Sequence, residues 1–290
     1  MKKNIIIFIL ILVLGLLVFG WENREFYENE IDEGTDLVEK DNDKPETGPD
    51  DKEKDDEFEL PEEKPYSDED PIDLPSVSII IDDLGNNLAI DMSIDDIDAD
   101  LTLAVLPFRD HTLQVAEFFS KRQEMILHLP LEPVSEENIE DRMLKVDMTQ
   151  EEMERFLNES LKELRHYVVG VNNHKGSRFT SDREAMSVLL DAIKQEDLFF
   201  VDSFTIGASK GFSLAREKGI KTAVRDVFLD NSRDPDDIRD KLLEAVRLAE
   251  EKGEAIAIGH SSPETISVLV EEIPRLKERA NFVPVSEVLR

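Results

Sequence analysis

The chain has 290 residues, enough to bury a sizeable core, and it carries 67 acidic against 34 basic residues, a formal net charge of −33. This charge argues against a nucleic-acid backbone or an anionic membrane surface as a partner. Cysteine is absent, which excludes disulfides, a thiol nucleophile and thiolate metal sites, and leaves His, Asp and Glu as possible metal ligands.

Residues 1–21 form a predicted targeting segment. Lys2 and Lys3 precede an apolar run from Ile5 to Trp21, the pattern of a signal peptide or of an N-terminal membrane anchor with its lysines inside. The run is shorter than a comfortable span of about 20 residues and has no good cleavage site, so the pattern leaves cleavage or retention undecided. In both cases we expect the rest of the chain outside the cytoplasmic membrane, secreted or tethered.

Residues 22–74 are predicted to be a disordered acidic linker. This stretch has 24 acidic and six basic residues, a net charge of −18, with several prolines and few apolar side chains. Such a composition cannot bury enough apolar surface to fold, and repulsion between like charges extends the chain. We expect a tether that holds the following domain away from the membrane, with a specific binding tail as the alternative.

From residue 75 to residue 290, short apolar runs alternate with helical patterns. The runs are Val77–Ile81, Leu101–Leu106, Met125–Leu129, Val168–Val171, Leu198–Val201, Thr222–Val224, Ala255–Ile258 and Phe282–Val283. Strict alternation over about eight units predicts one α/β domain whose parallel sheet is closed or nearly closed into a (β/α) barrel.

Four helix starts are predicted from capping patterns. Thr149 with Glu152 and Ser181 with Glu184 have the spacing of capping boxes. The pairs Asp234-Pro235 and Ser262-Pro263 each place a cap residue before a proline at the first helical position.

The apolar run Val77–Ile81 leads directly into Asp82 and Asp83. A strand of this type is buried on both faces, and its carboxyl end is where α/β folds place their chemistry. Two adjacent carboxylates repel each other, so the pair indicates a metal ligand, a general base or both. The alternative is that the two acids only cap the next helix.

Three of the five histidines, His128, His174 and His260, also fall at predicted strand ends. Zn²⁺ and its first-row neighbours take imidazole and carboxylate ligands and keep one position open when catalytic. Asp83, His128 and His174 can thus supply three ligands from three strands to a divalent metal, with zinc as the first candidate. Asp82 would then take a proton from a water that the metal acidifies, and His260 would protonate a leaving group.

Other polar residues at strand ends are candidates for binding a substrate, namely Glu132, Asn173, Ser177, Asp202 and Arg225. Glu132 is also a possible metal ligand, because period-2 spacing on an extended segment puts it on the same side as His128. Structural explanations stay open for individual residues: a histidine can bond the nearby backbone, Asn172-Asn173 can form a turn, and Arg225 can pair with Asp226. Taken together, the residues favour a site.

Residues 76–290 resemble the divergent polysaccharide deacetylase family, a branch of the NodB-type carbohydrate esterases. The resemblance rests on the order of Ile-Ile-Asp-Asp-Leu-Gly at 80–85, Leu-His-Leu-Pro-Leu-Glu at 127–132, Gly-Val-Asn-Asn-His-Lys-Gly-Ser at 170–177, Phe-Val-Asp-Ser at 200–203, Arg-Asp-Val-Phe-Leu-Asp at 225–230 and Ile-Gly-His at 258–260. It implies a distorted (β/α) barrel and a metal-dependent hydrolase that removes N-acetyl or O-acetyl groups from a polysaccharide.

The resemblance also implies roles for single residues. In NodB-type deacetylases the first Asp of the pair is the catalytic base and the second binds the metal, which corresponds to Asp82 and Asp83. A histidine after a late strand is their general acid, which corresponds to His260.

This chain departs from the family pattern in two places. The family's second motif has two histidines four residues apart, whereas this chain has His128 and Glu132. The second metal histidine is therefore missing unless His174 replaces it. The Arg-x-Pro-Tyr motif that helps to bind acetate is absent, and Asn173, His174 and Ser177 stand at that strand position.

Two other classes of function stay open. One is a different hydrolase or lyase on the same barrel, since a fold does not fix a function. The other is a catalytically silent carbohydrate-binding or cell-envelope scaffold. Outside the membrane, the expected partner is peptidoglycan or another envelope polysaccharide, neutral or de-acetylated, with membrane contact only through the N-terminal segment.

Overall fold

The computed structural model describes residues 74–135 and 140–290. The predicted targeting segment and all of the predicted acidic linker except Leu74 lie outside these residues. Within the described ranges, no helix is both long and apolar enough to cross a membrane.

Strands and helices alternate along the described chain, as the sequence predicts. The strands are β1 (Ser76–Leu84), β2 (Thr102–Val105), β3 (Glu124–Leu131), β4 (Gly170–Lys175), β5 (Phe199–Asp202), β6 (Thr222–Val224), β7 (Val227–Phe228), β8 (Glu254–His260) and β9 (Asn281–Phe282). The α-helices are α1 (Leu88–Met92), α2 (Thr112–Phe119), α3 (Gln150–Leu161), α4 (Ser177–Ser181), α5 (Arg183–Gln195), α6 (Gly211–Glu217), α7 (Pro235–Lys252) and α8 (Pro263–Leu276). Short 3₁₀ helices cover Ser93–Asp96 and Val285–Glu287.

All strand pairs are parallel, and the main sheet has the order β6-β5-β4-β3-β2-β1-β8-β7, with β9 beside β1. The prediction of a distorted parallel (β/α) barrel is confirmed. In the described chain no ladder joins β6 to β7, so the barrel is a curled, open sheet. Strand β7 was not predicted, because two residues are too short to show any periodicity.

The two faces of the sheet belong to separate apolar clusters. Inward-facing residues such as Ile80, Ile126 and Ile258 form a small cluster inside the barrel, whereas Ile79 and Leu127 pack with the helices outside. Because side chains alternate along a strand, every second residue points inwards, a pattern that we call the inward parity. This pattern continues into the polar residues at the strand ends. Those polar side chains therefore lie together at one rim of the barrel.

The opposite rim is closed by the end of the chain. Val285 and Val288 belong to the inner cluster. The Thr102 hydroxyl accepts a hydrogen bond from the Val285 amide (2.8 Å), and Arg290 exchanges two backbone hydrogen bonds with Thr222. Thr102 and Thr222 are the first residues of β2 and β6, so the end of the chain packs at the amino rim, opposite the polar strand ends.

Three of the four predicted helix starts are confirmed, and one is wrong. Thr149 forms the complete capping box with Glu152, and the Asp234 and Ser262 side chains cap α7 and α8. Helix α5 is capped by Asp182, not by Ser181. The Ser181 hydroxyl is already used, because it donates to the Ser177 carbonyl within α4.

Candidate active site

Three side chains from three strands converge at the carboxyl rim. Asp83 Oδ1 lies 2.9 Å from His174 Nδ1 and 3.2 Å from His128 Nε2, and the two ring nitrogens are 3.0 Å apart. All three atoms lie within 4.8 Å of one another, so one ion can contact all of them. These are the three residues that the sequence suggests as metal ligands.

The backbone of β1 explains how two adjacent acids reach the same cavity. Asp82 continues the inward parity of the strand and stands beside His260 in the ladder with β8. Asp83 would normally point to the opposite face, but its φ is 70° and the pairing with β2 shifts register after Ile81. A positive φ in a residue other than glycine costs on the order of 1–3 kcal/mol and is typical of functional sites.

In each imidazole, the outer nitrogen is the one that faces away from Asp83, and it lies against a hydrogen-bond acceptor. Asn172 Nδ2 donates to Asp82 Oδ1 (2.8 Å), so the other amide atom, Oδ1, accepts from His128 Nδ1 (2.8 Å). His174 Nε2 lies 2.8 Å from Glu140 Oε1, and an ionised carboxylate can only accept. Both rings therefore carry their proton on the outer nitrogen and turn a lone pair towards Asp83.

This donor set fits a divalent metal. Asp83 Oδ1 is buried and has no hydrogen-bond donor among the described residues, although two ring nitrogens lie within 3.2 Å. Three lone pairs at this separation repel each other unless a cation stands between them. Two imidazoles and one carboxylate, each held from outside, form the ligand set that zinc and its first-row neighbours take at catalytic sites.

The electrostatics of the group also favour a positive charge. Burial raises the pKa of Asp83, but the two facing imidazoles outweigh burial and bring this pKa below its usual range. Burial lowers the pKa of His174, but the carboxylates of Asp83 and Glu140 outweigh that effect and raise it.

Asp82 lies next to the ligand group but keeps a separate environment. Its side chain is buried, accepts the Asn172 amide, and has Oδ1 3.7 Å from His128 Nδ1. Burial is the largest effect on the pKa of Asp82 and raises it, against the opposing charges of His128 and His260. A carboxylate with a raised pKa is suited to accepting a proton.

His260 is held by Asp230, which the sequence analysis did not assign to the site. Asp230 Oδ1 lies 3.1 Å from His260 Nδ1, while Oδ2 accepts the His260 backbone N–H (2.7 Å) and the Thr265 hydroxyl (2.8 Å). Burial alone would lower the pKa of His260, but the Asp230 hydrogen bond and nearby carboxylates raise it to about 9. Asp230 ends the Arg-Asp-Val-Phe-Leu-Asp motif of the family resemblance, and that motif was the available signal.

An open groove runs over these residues. A cavity of about 430 Å³ contains the three ligand residues, Asp82 and His260, and is also lined by Asn173, Lys175, Ser203, Phe204, Thr205, Arg225, Phe228, Asn231 and Ile258. A second cavity, of about 280 Å³, shares Asp83 and His260 and is lined by Asn86, Asn87 and Arg233. The groove therefore continues on both sides of His260.

Two of the predicted substrate-binding residues line the groove, Asn173 and Arg225. Arg225 donates to the carbonyls of Ser203 (2.7 Å) and Phe204 (2.9 Å) and stacks on Phe228. It is not paired with Asp226, whose carboxylate accepts the Ile256 amide. The alternative of an Arg225–Asp226 ion pair is therefore wrong.

The structure places the other three predicted substrate-binding residues outside the groove. The Glu132 carboxylate accepts the Val146 amide and pairs with Arg178, which also removes Glu132 as a metal ligand. Ser177 Oγ accepts the Val134 amide. Asp202 accepts the Phe204 and Phe212 amides and the Ser209 hydroxyl, all from the segment that follows it. Asp202 thus bonds the segment that follows it, whereas Ser177 and Glu132 also link the segments after β3 and β4, and strand-end position alone cannot reveal these contacts.

Solved structures with the same fold identify the type of barrel. An uncharacterized protein, ATU2773 from Agrobacterium tumefaciens C58, has a TM-score of 0.69 and 22% identity, covering 74% of this chain and 89% of that one. The Bc1960 peptidoglycan N-acetylglucosamine deacetylase has a TM-score of 0.51 and 12% identity, covering 75% and 89%. The fold is that of the NodB-type deacetylases.

Residues 79–289 match the family model described as "Divergent polysaccharide deacetylase", and the chain belongs to this family. The family resemblance seen in the sequence is thus confirmed. The uncharacterized protein YibQ of Escherichia coli K12 is 33% identical over 220 residues, which cover 76% of this chain and 69% of YibQ. An uncharacterized protein of Haemophilus influenzae is 33% identical over 215 residues, covering 74% and 76%.

Proposed function

We propose that this protein is a metal-dependent hydrolase that removes acetyl groups from an envelope polysaccharide. The observation that carries the proposal is the convergence of Asp83, His128 and His174 in one cavity that Asp82 and His260 also line. Membership of the polysaccharide deacetylase family supports a polysaccharide substrate. The open groove supports a chain-like substrate over a small molecule.

Different side chains carry out different steps of the proposed hydrolysis. Asp83, His128 and His174 would hold a divalent cation, with zinc as our first candidate, and that cation would supply Lewis-acid chemistry at the acetyl carbonyl and at the attacking water. Asp82 accepts the proton that the attacking water loses. His260, protonated at neutral pH, donates a proton to the departing amine or alcohol, so that one water is consumed and acetate is released.

The substrate is proposed to lie outside the cytoplasmic membrane. The support comes from the sequence, in which two lysines and an apolar run precede the acidic linker. Peptidoglycan and other polysaccharides rich in N-acetyl sugars are the obvious acetylated polymers in this location. The net charge of −33 favours neutral over anionic chains.

The first experiment is elemental analysis of the protein purified without chelator, followed by assay of acetate release from N-acetylglucosamine oligomers and from peptidoglycan. We expect about one divalent metal per chain, and a loss of metal in His174→Ala. Asp82→Asn should keep its metal but lose about 10²–10⁴-fold in acetate release, because only the general base is removed. Asp240→Asn, which removes an exposed carboxylate on α7, is the control and should behave like the wild type.

Two outcomes contradict the proposal in different ways. A protein that takes up no metal after each ion is added back removes the joint explanation of the ligand group. A protein that binds glycan without releasing acetate, and whose binding is insensitive to chelator, would be a catalytically silent scaffold.

A further inference from the structure

We propose that Glu140 is a positioning residue that fixes His174 as a metal ligand, an inference that rests on the metal centre proposed above. His174 faces the ligand group through Nδ1, and its outer nitrogen, Nε2, lies 2.8 Å from Glu140 Oε1. Nδ1 can present a lone pair to a metal only when the ring proton is on Nε2. Glu140 supplies the acceptor that selects this tautomer and the ring orientation.

Glu140 is itself held in place from two other elements. Its Oε1 also accepts from Lys175 Nζ (2.9 Å), and its Oε2 accepts from Arg109 Nη2 (2.6 Å). The Glu140 side chain is 20% exposed, so these charged contacts form in a partly desolvated place at the edge of the groove. Such contacts are stronger than at an open surface, which leaves the carboxylate little freedom to turn away from His174.

The segment that carries Glu140 is anchored beside β3. Leu144 donates its backbone N–H to the Pro130 carbonyl (2.9 Å) and accepts the Glu132 amide (2.9 Å). The Glu132 side chain adds a hydrogen bond from the Val146 amide (2.9 Å). Glu132 therefore does not bind metal but holds the far side of the segment that brings Glu140 to His174.

This arrangement accompanies the change in the ligand set. The resemblance leads us to expect two histidines four residues apart, but Glu132 stands in the second place and His174 comes from the neighbouring strand. A histidine recruited from β4 needs its own acceptor, and no acceptor on β3 or β4 contacts its Nε2 in the described residues. The acceptor comes instead from a loop 34 residues earlier in the chain.

The test measures Zn²⁺ affinity of the full chain by competition with a chromophoric chelator, together with the ¹⁵N signals of His174 in the zinc-loaded protein. Glu140→Ala should weaken Zn²⁺ binding about 10–100-fold and shift the His174 tautomer signals. Glu140→Gln keeps an amide oxygen that can accept from Nε2, so it should lose less affinity and keep the wild-type tautomer. Asp141→Asn is the matched control, because it removes the neighbouring exposed carboxylate without touching His174.

The outcomes separate this inference from the proposed function. A wild-type protein that binds neither Zn²⁺ nor any other divalent ion that is added back overturns both. A wild type that binds Zn²⁺ while Glu140→Ala binds equally tightly overturns the role of Glu140 alone. Weaker binding with unchanged His174 signals also overturns it, because the loss would then come from loop anchoring and not from orientation of the ring.

Discussion

At the scale of single residues, the site depends on neighbouring groups whose environments shift their pKa values in opposite directions. Asp82 and Asp83 are adjacent in the chain, yet burial raises the pKa of Asp82 while two imidazoles lower that of Asp83. Pairs of acids with opposite shifts are the usual sign of separate chemical roles. The ionised Asp83 suits a metal ligand, and Asp82 suits a base.

The same scale yields a prediction about His260 and Asp230. His260 should titrate near pH 9 in the metal-free protein, and Asp230→Asn should lower its pKa, because the main opposing charge is removed. The pair stabilises the fold fully below the unfolded pKa of 6.5, and this contribution disappears as the pH rises through about 9. NMR titration of the His260 ring measures the pKa directly. Asp240→Asn should leave the titration unchanged, and an Asp230→Asn protein that still titrates near 9 contradicts the pairing.

At the scale of secondary structure, the site is made by strand ends placed side by side. The parallel ladders align Asp82 with His260, and His128 with Asn172. Since each strand contributes its last inward-facing residues, no loop has to fold over the barrel to bring these four groups together. Loops add Asp230, which holds His260, and Glu140, which holds His174.

Helix α5 offers a test of which side chain caps it. Asp182 Oδ1 accepts the amides of Glu184 (3.0 Å) and Ala185 (2.9 Å), so Asp182→Ala should lower the free energy of unfolding by about 1 kcal/mol. Ser181→Ala removes only a hydroxyl bonded within α4 and should cost less than about 0.5 kcal/mol. Urea unfolding of the two variants gives the comparison. A larger loss in Ser181→Ala would restore the capping box that the sequence suggested.

At the scale of the whole molecule, charge is divided unevenly along the chain. Residues 75–290 hold 43 acidic and 26 basic residues, a net charge of −17, while the much shorter linker at 22–74 holds −18. The predicted linker therefore has the higher charge density, which is the composition on which the prediction of an extended tether rests.

This organisation predicts where the protein is found and how it is cut. If the linker is extended and lies outside the membrane, as we propose, trypsin added to intact spheroplasts should cut at its lysines and release a fragment close to residues 75–290. If the N-terminal segment is cleaved in the cell, the protein should instead appear in the soluble extracytoplasmic fraction. A cytoplasmic marker protein is the control, and protection of the chain until the cells are lysed contradicts the prediction.

The sequence by itself determined the barrel and the group of three residues that could hold a metal ion. Alternating apolar runs and helices encode a parallel sheet locally, and inward parity extends from Ile80 to Asp82 within one strand. The residue types at strand ends were therefore sufficient to propose Asp83, His128 and His174 as one group, because parallel strands bring their carboxyl ends to the same rim.

Only the tertiary structure decided which further polar residues act at that rim. Glu132 and Asp202 follow strands just as Asp230 does, yet their carboxylates bind their own loops while Asp230 holds His260. Glu140 reaches His174 across 34 residues, and no periodic pattern marks it. These assignments depend on the path of each loop and on contacts between distant segments, whereas strand parity is a property of a few consecutive residues.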